Sequence, residues 1–137
     1  MSAEPMTEKV SVNVNTATLS AIDLLVDNGY YSNRSDFINQ ALRSALERQQ
    51  TTIDHIVEQQ TRRSGKGDEW FIGLSGLTCR DLTEMQARGE TIRVRGYGVF
   101  VLPQDCPEEL IYQVVQSIDV RGKVRCAPAV KAHYGIR

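Results

Sequence analysis

The most constraining feature of the chain is a short strand pattern that has nothing nearby to pair with. Over Lys9–Val14 the residues alternate strictly: Val10, Val12 and Val14 are apolar, and Lys9, Ser11 and Asn13 are polar. That is the period of a strand with one wet face. No comparable segment follows until Ile72; two helical patterns come first. An unpaired strand presents backbone donors and acceptors that must find another chain. One strand and two short helices, about fifty residues, are also too few to bury a core alone. These constraints predict a symmetric dimer in which two copies of Lys9–Val14 pair antiparallel above four helices. Its expected core is Val10, Val12, Val14, Leu19, Ile22, Phe37, Ile38 and Leu42.

The first helix is expected to start at Asn15 or Thr16, whose short polar side chains can accept from orphan N–H groups. Leu19, Ile22, Leu25 and Val26 fall on one face, and Asp27-Asn28-Gly29 ends the pattern with a glycine suited to a left-handed cap. Tyr30 and Tyr31 occupy the turn. Ser32 reads as the cap of a second helix with an apolar stripe of Phe37, Ile38, Ala41, Leu42, Ala45 and Leu46. A weaker helical pattern continues through Ile53, Ile56 and Val57. The expected division is a flexible arm (1–8), a first domain (9–60), a linker (61–68, the TRRSGKGD run) and a second domain (69–137).

The second domain reads as a small α/β module. Ile72-Gly-Leu-Ser-Gly76, Ile92-Arg-Val-Arg-Gly96 and Ile118-Asp-Val-Arg-Gly122 share an alternating pattern that ends in glycine, and their starts lie 20 and 26 residues apart. Helix-like stretches follow at 80–88, 107–117 and 128–134. The spacing suits stacked strand-helix repeats. The alternative takes Val99–Leu102 as a separate strand, which gives a β-α-β-β-α-β sandwich of ferredoxin-like or ACT-like type. The fold class expected for the whole chain is therefore α+β.

A two-stranded β-ribbon fits the major groove of DNA. Asn13 can bond an adenine edge in bidentate fashion, Lys9 can donate to guanine, and Ser11 can serve several bases. The second helix starts after the turn, so its free N–H groups make a site for a backbone phosphate. Ser32, Asn33, Arg34 and Ser35 are the residues there, with Arg34 adding a charge-assisted contact.

Residues 9–48, KVSVNVNTATLSAIDLLVDNGYYSNRSDFINQALRSALER, resemble the ribbon-helix-helix superfamily of CopG, Arc and MetJ repressors and ParD-type antitoxins. The resemblance is carried by the alternating strand, the Gly29-Tyr-Tyr-Ser32 turn and the Asn33-Arg34-Ser35-Asp36-Phe37-Ile38 helix opening. It covers the N-terminal part only. It implies base contacts from Lys9, Ser11 and Asn13 and phosphate contacts at Ser32–Ser35. Asn15 stands where many members carry proline.

The remaining composition narrows the function. Net charge is −1, and residues 1–50 hold four basic and six acidic side chains. That balance disfavours strong non-specific DNA binding and leaves room for specific binding by a few placed groups. Cys79, Cys106 and Cys126 form no CxxC pair, and the expected state is reduced thiols in a cytoplasmic protein. His55 and His133, 78 positions apart, supply no metal-ligand set. No nucleophile-base or paired-carboxylate arrangement is visible, so no enzyme, cofactor or metal is expected. No apolar run approaches the ~18 residues of a membrane span. The expected function is a sequence-specific, dimeric transcriptional regulator of double-stranded DNA. Its C-terminal half is expected to support higher oligomers. The alternatives are an antitoxin that regulates its own operon and binds a toxin protein, and a structural scaffold.

Overall fold

The computed structural model describes residues 7–136; most of the expected arm lies outside them. The chain divides into two compact units, Met1–Ile53 and Asp54–Arg137.

The first unit holds α1 (Thr16–Asp27) and α2 (Arg34–Arg48). Asn15 caps α1: its side-chain oxygen accepts from the Ala17 N–H at 2.9 Å and the Thr18 N–H at 3.4 Å. Gly29, at φ +83°, ends α1 in a left-handed turn that lets the Tyr30 N–H reach the Leu25 carbonyl at 3.0 Å. Tyr31 packs edge-on against Phe37 with ring centroids 4.9 Å apart. Helix α3 (Gln50–Arg63) begins at once after Gln49, so the expected linker starts inside a helix at 61–63.

The expected fold class requires correction. Among the described residues no ribbon precedes α1: residues 7–15 form no strand, the first regular element is helical, and the sheet lies within 68–125. The alternation at Lys9–Val14 is real in the sequence, but the chain supplies no second strand beside it. Backbone pairing needs a partner, and periodicity alone does not provide one. The residues expected to form a dimer core are correspondingly uncovered. Val10 and Val12 are 76% and 74% exposed, and Val14, Ile38 and Leu42 are exposed too. Leu19 and Phe37 are half-buried, and only Ile22 is buried.

The second unit contains β1 (Asp68–Gly76), α4 (Cys79–Ala87), β2 (Ile92–Val101), α5 (Glu108–Val114), β3 (Val115–Arg125) and α6 (Pro128–Tyr134). The strands form one parallel sheet in the order β1-β2-β3. Parallel neighbours need a crossover, and α4 and α5 supply one each. Ile92–Val101 is a single unbroken strand. The core joins one sheet face (Phe71, Val94, Phe100, Val124) to helix residues Leu82, Ile111, Val114 and Val130. Thr78 and Asp81 close a reciprocal capping box at the start of α4. Helix α5 runs into β3 without a loop, and the Tyr134 hydroxyl reaches the Val115 carbonyl at 2.6 Å.

Three glycines, Gly73, Gly98 and Gly122, stand in one row across the sheet. All have positive φ, at +99°, +127° and +141°. A Cβ on Gly98 would overlap the Gly73 carbonyl, and one on Gly122 would overlap the Gly98 carbonyl. The row lets all three strands take the same unusual turn of backbone without losing register.

A second correction concerns the cysteines. Cys79 and Cys106, expected as thiols, form a disulfide with Cα atoms 5.5 Å apart. It ties the start of α4 to the segment before α5. Cys126 is buried and free, and burial raises its thiol pKa above the ordinary value.

Candidate nucleic-acid interface

Lys9, Ser11 and Asn13 lie in the irregular segment before α1, and all are exposed. Their side chains thus stand in solvent together with Val10 and Val12 between them and Val14 after them. Chemically the segment offers an ammonium, a hydroxyl and an amide within five residues.

The turn before α2 is more occupied than the sequence suggests. Asn33, not Ser32, caps the helix, accepting from the Asp36 N–H at 2.8 Å. The Asp36 carboxylate accepts from the Ser32 N–H at 3.0 Å and from the Gln40 amide at 3.0 Å. The Ser32 N–H first, then Gln40, hold the Asp36 carboxyl below its usual range. Arg34 donates from Nε and Nη2 to the two Asp23 carboxylate oxygens at 2.7 and 2.8 Å. That bond holds the Asp23 carboxyl below the ordinary value. Ser35 is exposed.

The four residues expected at a phosphate are therefore together, but an incoming phosphate meets Asp23 and Asp36 already there. The fork leaves N–H donors of Arg34 free, because guanidinium carries more than the pair spent on Asp23. The Asp23 partnership was missed because its two ends lie 11 positions apart on different helices. The Asp36 contacts follow from a side chain i+4 from the turn, a signal the sequence does carry.

A recess of about 570 Å³ in the second unit lies at the N-terminal ends of the strands. Its charged groups are largely satisfied by one another: Arg93 pairs with Asp68 at 2.7 Å and Arg88 with Glu90 at 3.4 Å.

Residues 5–131 match the ribbon-helix-helix transcriptional regulator family. The chain belongs to that family, and the match runs far beyond the forty residues that carry the sequence resemblance. It is thus a member of a DNA-binding regulatory superfamily. No curated protein and no solved structure matches the chain. Among the described residues, no helix is long and apolar enough to cross a membrane.

Proposed function

We propose that the chain is a sequence-specific transcriptional regulator that binds double-stranded DNA as a homodimer. Lys9, Ser11 and Asn13 enter the major groove and meet base edges. Ser32, Asn33, Arg34 and Ser35 meet the flanking phosphates, with Arg34 bridging from Asp23. A cytoplasmic location follows from DNA as the partner and not from the cysteines, since the disulfide removes the thiol argument.

One observation carries this reading: the first unit leaves much of its apolar surface uncovered. Val10, Val12, Val14, Leu24, Ile38, Leu42 and Leu46 are all exposed on fewer than fifty described residues. A soluble unit with so little core needs a partner for that surface, and family membership supports a second copy. The packed core of the second unit speaks against its being a tail that orders only on a toxin.

Asn13→Ala tests the base contact. The expected loss on the selected site is roughly 1–3 kcal/mol, with relaxed preference at one base position per half-site. Val12→Asp tests the dimer by adding an unpaired carboxylate to the surface that must be covered. A Val12→Asp protein that still sediments as a stable dimer removes this surface from the interface.

A further inference from the structure

The charges of the second unit are sorted between its two sides. The helical side carries Asp81, Glu84, Glu90, Glu108 and Glu109 against Arg80, Arg88 and Lys131. The second sheet face reads, row by row, Asp68-Arg93-Ser117, Trp70-Arg95-Asp119, Ile72-Tyr97-Arg121, Leu74-Val99-Lys123 and Gly76-Val101-Arg125. Five cations thus stand against two acids on that face. Arg93 is neutralised by Asp68 at 2.7 Å, and Arg95 lies 3.9 Å from Asp119. Arg121 and Lys123 are exposed and have no acid partner among the described residues.

The same face is also apolar. Leu74 is 66% exposed and Tyr97 51%, and Ile72 and Val101 are exposed beside them. Trp70 and Tyr97 meet edge to face, centroids 6.5 Å apart. With Arg95, Asp119, Arg121 and Gln60 of α3 they line a recess of about 180 Å³. Parallel sheets ordinarily have both faces covered, so this one calls for an occupant. A second copy fits poorly. Face to face, it would set the β3 cations against themselves or against the apolar strip of β1, and either arrangement strips water from unpaired charge. Duplex DNA would satisfy the cations and leave the aromatic rings idle. A ligand with flat apolar groups strung on an anionic chain satisfies both.

We propose that this sheet face binds single-stranded nucleic acid, with bases laid on Trp70 and Tyr97 and phosphates following Arg121 and Lys123 along β3. Stacking tolerates any base, and the cations track the backbone. The Gln60 amide at the edge of the recess can bond a base edge. This activity is separate from duplex reading by the first unit.

Trp70 is the only tryptophan, so its fluorescence reports on the site in the full-length protein. The probe is a mixed-sequence strand of about twelve nucleotides, as DNA and as RNA, with heparin and a random duplex as comparison arms. The expected result is saturable quenching by a single strand that weakens as salt rises. Arg121→Ala with Lys123→Ala, and separately Tyr97→Ala, should each weaken it by about tenfold or more. Asn13→Ala should leave it unchanged, which separates this site from the proposed duplex contact. Failure of both strands to quench overturns the proposal. So does equal quenching by heparin or duplex, or a double variant that binds like the parent while retaining its circular dichroism.

Discussion

Replacing Gly98 by alanine should destabilise the second unit far more than the same change at Gly73, its neighbour in the row. Two costs combine. A residue with a Cβ at φ +127° is held in a sparsely populated region, at roughly 1–3 kcal/mol. The added methyl also overlaps the Gly73 carbonyl, a backbone atom that no rotamer change can move aside. Overpacking of that kind costs roughly 1–3 kcal/mol more. The sum is about 2–6 kcal/mol, a large share of the ~5–15 kcal/mol that holds a domain folded. Gly73 is the internal control: its φ is +99°, but a Cβ there meets nothing within 4 Å, so Gly73→Ala bears only the conformational cost. Urea unfolding followed by Trp70 fluorescence reads both variants. The expected outcome is a midpoint for Gly98→Ala at least about 1 M below the parent, with Gly73→Ala between them. A Gly98→Ala midpoint no lower than that of Gly73→Ala would refute the close-approach reasoning.

Other outcomes follow from the same geometry. The Cys79–Cys106 bond closes a loop across a separation of 27 residues, so Cys79→Ser with Cys106→Ser should cost about 3.5 kcal/mol of stability, read by denaturation with and without reductant. Burial raises the Tyr134 pKa to about 12. The folded state therefore keeps a proton that the unfolded chain releases near pH 10, and stability should fall as pH rises from 10 towards 12. Tyr134→Phe should flatten that slope in a pH series of melts. Arg34→Gln should let the Asp23 pKa rise towards the ordinary carboxylate value, measured by carboxyl NMR titration. Since the folded Asp23 pKa is depressed, the stability it contributes is present above the unfolded value and is lost as pH falls through the folded one.

The helices were legible because their signals are local. Asn15 caps α1 and Gly29 ends it as a short polar residue and a glycine should at those positions. The cap of α2 was misplaced by one residue, since Ser32 and Asn33 are both good caps and only three-dimensional geometry chooses between them. The repeat in the second half was visible but read out of phase. The motifs ending at Gly76, Gly96 and Gly122 look alike, yet the sheet aligns Gly73, Gly98 and Gly122. Strand register depends on cross-strand contact, and similar pentapeptides do not encode it. The Cys79–Cys106 pairing escaped for the same reason, because nothing in the spacing of three cysteines brings two together. At the candidate site, the alternation that singled out Lys9, Ser11 and Asn13 was read as a strand, and the described segment forms none. The Arg34–Asp23 fork was not legible, because it joins two helices whose packing the sequence does not display.

The central claim is that Lys9–Val14 carries sequence recognition, and selection of bound duplexes from random DNA tests it most directly. The full-length parent should enrich one motif with two related half-sites. Asn13→Ala should enrich a motif degenerate at one position in each half, and Arg34→Ala should enrich the parent motif with lower yield at high salt. An Asn13→Ala protein that selects the parent motif with undiminished affinity would contradict the account.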